Sequence, residues 1–207
     1  MNRKPVNRLY HPVAPVVSLL VMTTPAFAHA PIMGIGGVFG GLLHALFIPE
    51  HGASLVALGA VLGIQETSPR RSGLLIFGAA LVCGLVLAGF GIQPGPAADV
   101  LLIAMCILGI LMAAAWAPPR VAWLLSAVTG LTFALDSTPE TTAVDETIRM
   151  LIGSGLGAVV TLVIVTEGSV VLQGSAQRLV ARVLGSWIAA SAILVLSLRL
   201  VTRFSVS

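Results

Sequence analysis

Seven apolar runs follow one another along the chain, separated by short polar or proline-containing stretches. They cover residues 31–48, 52–65, 73–93, 99–117, 121–136, 148–166 and 179–201. The breaks contain Pro49, Ser68-Pro69, Pro94-Gly95-Pro96, Pro118-Pro119 and Ser137-Thr138-Pro139. Backbone polar groups cannot stay unpaired in lipid, so runs of this length and character are expected to be helices. The pattern predicts an all-α integral membrane protein, a bundle of six to seven short transmembrane helices rich in Gly, Ala and Leu.

Composition supports a membrane protein and excludes several other classes. Hydrophobic residues make up 57% of the 207 residues and charged residues only 9%, whereas a soluble domain has roughly 45–50% and about 25%. So few charges cannot cover a surface that faces water. A soluble enzyme, a disordered chain and a nucleic-acid binder are therefore excluded. Motifs of common enzymes (GxSxG, a Walker loop, HExxH) are also absent, and we expect no enzymatic activity.

The first 28 residues have the layout of a secretory signal peptide. Arg3, Lys4 and Arg8 precede a short apolar stretch, which is followed by the small-x-small sequence Ala26-Phe27-Ala28. That stretch is shorter than the roughly 20 residues that a transmembrane helix needs. We expect cleavage after residue 28, which leaves one polytopic domain, residues 29–207, in the bacterial inner membrane with a periplasmic N-terminus. An uncleaved signal anchor is the alternative.

The charged connections conflict with a simple count of crossings. Basic residues lie at Arg70-Arg71, Arg120, Arg178 and Arg182, while acidic residues lie at Asp99 and between Asp136 and Glu146. The positive-inside rule places the basic connections in the cytoplasm. With the N-terminus outside, residues 31–65 must then cross an odd number of times, although they hold two apolar runs. We predict that this segment is broken or re-entrant near Pro49; the alternative is that the rule fails at Arg70-Arg71.

Three histidines fall within 23 residues of the predicted mature chain, at His29, His44 and His51. Ionisable groups at membrane depth usually mark a site or a pathway. On an unbroken helix, His44 and His51 would stand about 10.5 Å apart along the axis, too far for one ion with metal–nitrogen bonds of about 2.0–2.1 Å. A break at Pro49 would let His51 and Glu50 fold back towards His44, or the histidines could be successive stations. The structural alternative is that they are core or interfacial histidines.

Other candidate ligands have equally plain structural interpretations. His29 would offer a free amine and an imidazole to one metal, but any cleavage must leave some residue first. Asp99 opens an apolar run, where an acid is favoured by the helix dipole alone. Asp136 ends an apolar run and could be a turn residue.

Glycines cluster in two of the runs. Gly36, Gly37, Gly40 and Gly41 form two overlapping GxxxG spacings, and Gly153, Gly155 and Gly157 lie in the sixth run. Glycine lets neighbouring helix backbones approach closely. These faces could pack within the chain, form a homo-oligomer or bind another membrane protein.

The stretch from Gly40 to His51, GGLLHALFIPEH, together with His29-Ala30, resembles the HupE/UreJ family of hydrogenase and urease accessory membrane proteins. In that family a signal peptide ends before a histidine, and the first helix carries H-P-x5-H with an aspartate before the second histidine. His44 and His51 fall on the two histidines, Glu50 on the aspartate, and Ala45 replaces the proline. The family's later motif HGxAHGxE has lost both histidines here, and only Asp136 can stand for its acid.

The resemblance implies permeation of Ni²⁺, or of its neighbour Co²⁺, without ATP, for metalloenzyme maturation. No tightly bound cofactor is implied, and Cu or Zn also suit imidazole and carboxylate ligands. Two alternatives are a non-transporting accessory subunit that anchors a partner complex through its Gly-rich helices and, with a thinner ligand set, an intramembrane metalloenzyme. The candidate metal residues are His29, His44, Glu50, His51, Asp99 and Asp136.

Overall fold

Each of the seven apolar runs contributes one helix to the computed structural model, which describes residues 36–138, 143–171 and 174–206. The signal peptide prediction and His29 lie outside these residues. In the described ranges the elements are all helices: α1 (Gly37–Phe47), α2 (Pro49–Gly63), α3 (Thr67–Gly89), α4 (Ala97–Ala114), α5 (Pro119–Asp136), α6 (Val144–Val171) and α7 (Ser175–Val206).

Four of these helices, α3, α4, α6 and α7, are long and apolar enough to cross a membrane, and the bent pair α1–α2 qualifies as a fifth. Helix α5 is as long as α4, with 18 residues, but it is not among the helices that are apolar enough to cross a membrane. It carries Arg120 and Asp136 at its two ends and buries several hydroxyl-bearing side chains, including Ser126 and Thr129. The chain is therefore a multi-pass membrane protein, and α5 carries buried hydroxyl groups within the bundle.

The break at Pro49 is confirmed, since α1 and α2 meet at an angle of 70°. Ile48 leaves the helical conformation (φ −77°, ψ 116°), and Pro49 begins α2 at a position where a missing N–H costs nothing. The next break differs from the expectation. Ser68-Pro69 lies inside the first turn of α3. A proline is tolerated there because the first N–H groups of a helix have no intrahelical acceptor. The chain turns at residues 64–66 instead.

Helix α2 is the most buried helix and lies at the centre of the bundle. Ten of its 15 residues are buried, and its Leu55 and Leu58 belong to one core with Phe77 of α3, Leu108 of α4 and Phe133 of α5. His51, in the first turn of α2, is therefore surrounded by protein rather than by lipid.

Close backbone contacts hold α1 and α2 along successive parts of α6. A Cβ atom at Gly41 would overlap the Met150 carbonyl, and one at Gly153 would overlap the Val38 carbonyl. Further along, a Cβ at Gly63 would overlap the Ser169 side chain. The close approach that the glycine spacing predicts is thus confirmed as a contact within the chain. The contacts of α1 lie in the first half of α6 and those of α2 lie further along it. The bent pair therefore runs from one end of the bundle to the other.

Hydrogen bonds identify the two ends. Trp123 Nε1 donates to the Pro69 carbonyl (2.9 Å), which joins the starts of α5 and α3, and Arg182 Nε donates to the Ala113 carbonyl (2.9 Å), which joins the start of α7 to the end of α4. We call this the basic end. At the opposite, acidic end, the Gly37 amide donates to Glu146 Oε1 (2.6 Å) between the starts of α1 and α6.

We predict that Gly153→Ala destabilises the fold by about 1–3 kcal/mol, because its methyl group would force α1 away from α6. Gly78→Ala on α3 is the matched control, since nothing lies within 4 Å of a Cβ atom there. The measurement is the thermal stability of the detergent-purified protein. Equal stability of the two variants would contradict the close α1–α6 contact.

Candidate functional site

His51 lies in the first turn of α2 and is completely buried. Its Nε2 is 2.9 Å from Oδ2 of Asp136, the last residue of α5. Its ring packs against Phe133, one turn earlier on α5, with ring centroids 4.5 Å apart. Ser54 donates a hydrogen bond to the His51 carbonyl (2.8 Å) and so ties down the same turn of α2. The imidazole is therefore fixed in position and in orientation.

His44 lies in the last turn of α1 and meets His51 across the helix break. The two ring centroids are 5.5 Å apart, with an angle of 68° between the ring planes. On a continuous helix the same residues would be separated by about 10.5 Å along the axis. The break thus brings together the two imidazoles, as the spacing argument from the sequence allowed.

The Asp136 contact determines which nitrogen of His51 is available. An ionised carboxylate only accepts hydrogen bonds. When Asp136 is ionised and the imidazole is neutral, the ring proton therefore lies on Nε2 and Nδ1 keeps a lone pair. Nδ1 is buried and has no hydrogen-bond partner within the described residues. Histidines that bind metals commonly donate their other ring N–H to a carboxylate, which fixes the tautomer and makes the ligand more basic. Asp136 has this relation to His51.

Glu50 and Asp99 occupy a different cluster, with two arginines from α7. Arg199 Nη2 lies 3.2 Å from both carboxylate oxygens of Glu50, and its Nη1 lies 3.3 Å from Asp99 Oδ1. Arg203 Nη2 adds a contact of 2.6 Å to Asp99 Oδ2. Neither arginine could be assigned to the site from residue spacing. The available signal was Arg199 itself, a charge inside the apolar run 179–201, where a charge needs a partner.

The six candidate residues therefore separate into groups. His44, His51 and Asp136 are together, Glu50 and Asp99 are bridged by Arg199, and His29 is outside the described residues. In the part of the chain that the structure describes, no group of three or more His, Cys, Asp or Glu side chains is arranged to hold a metal ion.

The comparisons with known proteins give one match. The model of the family described as HupE / UreJ protein matches residues 17–195. No curated protein and no solved structure matches the chain significantly. The matched range contains all six candidate residues and ends four residues before Arg199.

We predict that His51 and Asp136 are energetically coupled. Asp136→Ala should cost about 1–3 kcal/mol, because it leaves a buried imidazole N–H without a partner. In a His51→Phe background the same change should cost at least about 1 kcal/mol less, since phenylalanine has no polar atom to satisfy. The free energies of unfolding of the four proteins, measured in bicelles, give the coupling. Strictly additive costs would show that the pair does not interact.

Proposed function

We propose, from the premise that this chain belongs to the HupE/UreJ family, that it is a secondary transporter or channel for a divalent transition metal. Nickel or cobalt is the proposed cargo, and metalloenzyme maturation its destination. The observation that carries the proposal is the His51 site: a fully buried imidazole that is held by Asp136 at Nε2, lacks a described hydrogen-bond partner at Nδ1 and faces a second imidazole at a helix break.

The chemistry of this site favours transient binding of a borderline cation. Imidazole nitrogen is a ligand for Ni²⁺, Co²⁺, Cu²⁺ and Zn²⁺, and broken helices recur where transporters bind their ions. Two protein ligands bind an ion less tightly than a complete shell and so allow it to leave. The sequence has no nucleotide-binding motif. The membrane potential would supply about 4.6 kcal/mol per 100 mV to an entering divalent ion, twice the single-charge value.

A single crossing by the bent pair would remove the conflict over orientation. The proposed arrangement has six crossings, which are the bent pair α1–α2, the four apolar helices α3, α4, α6 and α7, and also α5. Helix α5 is less apolar, but it runs from the Trp123–Pro69 contact at the basic end to the His51–Asp136 contact. With a periplasmic N-terminus, Arg70-Arg71, Arg120 and Arg178 then all lie in the cytoplasm, as the positive-inside rule requires. Asp99 and the connection after Asp136 lie outside, so the proposed metal path opens at the acidic end, on the periplasmic face of the inner membrane.

A non-transporting accessory subunit is the second candidate. The observation in its favour is the lack of a complete metal site among the described residues, which fits a role in which the histidines are structural. The observation against it is the use of Gly41, Gly153 and Gly157 inside the chain, because the accessory role relied on those glycine faces to bind a partner.

Accessibility of engineered cysteines tests the topology. In a protein with Cys83 and Cys106 replaced by alanine, Asp145→Cys at the acidic end should react with a membrane-impermeant maleimide in intact spheroplasts. Arg71→Cys should react only after the membrane is opened. Both native positions are exposed in the structure. Reaction of Arg71→Cys in intact spheroplasts would contradict a single crossing by residues 31–65.

Metal uptake tests the function. We expect cells lacking their own nickel uptake to accumulate radiolabelled Ni²⁺ or Co²⁺ when they express this chain, and to lose the accumulation with His44→Ala/His51→Ala. Asp136→Asn should reduce uptake about tenfold, because carboxylates that accept a hydrogen bond from a metal-binding histidine contribute factors of this order to metal binding. Asp145→Asn, an exposed acid at the same end, is the matched control and should leave uptake unchanged.

Each variant is compared at equal membrane expression, with Cu²⁺ and Zn²⁺ also tested as cargo. His29→Ala is measured separately, since it tests the proposed N-terminal ligand alone. Lack of uptake of all four metals by the unmodified chain would overturn the transporter and favour the accessory subunit.

A further inference from the structure

Arg199 occupies the place between Glu50 and Asp99 where a cation would be held. One guanidinium reaches both oxygens of Glu50 and one oxygen of Asp99, at 3.2–3.3 Å. The two carboxylates are largely buried, with side-chain exposures of 15% and 18%. With Arg203, the cluster has two negative and two positive charges, so the acids present no net charge to an approaching ion.

This neutralised cluster lies directly beside the histidine pair. Glu50 precedes His51 in the first turn of α2, and His51 Nδ1 is a buried ring nitrogen without a hydrogen-bond partner among the described residues. An ion bound at His51 would therefore lie one residue away from an acid that Arg199 already binds.

The arginines come from the last turns of α7, where few side chains are buried. In the middle of α7, Gly185 lies against the backbone of α4 near Gly109. The last buried side chain of α7 in the described range is Ala192, and residues 200–204 are all exposed. The pairs from Arg199 and Arg203 thus connect an exposed helix end to the bundle, and ion pairs of this kind can be exchanged for other charges.

We infer that Arg199 is a specificity-determining residue for the proposed transport: a tethered cation that an entering divalent metal must displace from Glu50 and Asp99. This inference rests on the proposed function. A divalent ion can replace the guanidinium because it brings twice the charge to the same two carboxylates, and the Coulomb energy scales with that charge. A monovalent ion brings no more charge than the arginine it would displace, so Na⁺ and K⁺ are excluded. The family match ends at residue 195, so Arg199 lies beyond the matched range.

Equilibrium binding to the purified full-length chain in nanodiscs tests the inference without transport. Ni²⁺ and Co²⁺ are titrated at constant ionic strength, set once with K⁺ and once with a bulky organic cation. For the unmodified chain, affinity should be the same in both salts. In the organic salt, Arg199→Gln should bind the metals about tenfold more tightly than the unmodified chain does. In the K⁺ salt this gain should shrink, because K⁺ then competes for the two carboxylates. Arg199→Lys, which keeps the charge, should resist K⁺. Adding Glu50→Gln to Arg199→Gln should remove the gain.

If Arg199→Gln does not give a folded, monodisperse protein, Arg203→Gln is used in its place. We expect a smaller gain in metal affinity from Arg203→Gln, because the carboxylate contact of Arg203 is with Asp99. Unchanged or weaker metal binding by both charge-removing variants would overturn the inference, as would an absence of K⁺ competition. Binding and uptake are measured separately. Uptake by the unmodified chain with no effect of Arg199 on binding overturns the role of Arg199 and keeps the transporter. An effect of Arg199 on binding with no uptake overturns the transport role and leaves only the competition between Arg199 and a bound metal.

Discussion

Close contact between the backbone of α6 and the broken pair α1–α2 is the constraint on which the rest of the structure depends. Helices in lipid gain little from apolar burial against one another, so they associate through tight packing of small residues. Gly41 and Gly153 allow α1 to lie against the first half of α6, and Gly63 does the same for α2 further along. Both halves of the pair are thus held on one helix, and the chain changes direction by 70° between them, at Pro49.

The functional groups follow from that change of direction. It ends α1 with His44 facing the break and begins α2 with His51 in the core, where Asp136 and Phe133 fix its ring. It also places Glu50 in the same turn, where Arg199 can reach it. Adjacent residues of one helical turn thus enter two different electrostatic environments, a histidine–carboxylate pair and a carboxylate–arginine cluster.

The sequence predicted much of the architecture but little of the pairing. Apolar runs and prolines located the helices, and glycine spacing located the tight contacts, because both are local properties of the chain. The contact of His51 with Asp136 spans 85 residues and that of Arg199 with Glu50 spans 149. Neither can be found from spacing, since it depends on which helices become neighbours. Ser68-Pro69 shows a local limit as well: a proline marks either a break or a helix start, and only the hydrogen bonds of the fold distinguish the two.

The measurement that tests the central claim most directly is ¹⁵N NMR of the histidine side chains in the full-length protein, with His51 assigned from His51→Phe. Zn²⁺ serves as a diamagnetic substitute for Ni²⁺. The account predicts that His51 is protonated at Nε2 and bare at Nδ1, and that added metal shifts the Nδ1 resonance of His51 together with a ring nitrogen of His44. A His51 that is protonated at Nδ1 and unaffected by metal would contradict it.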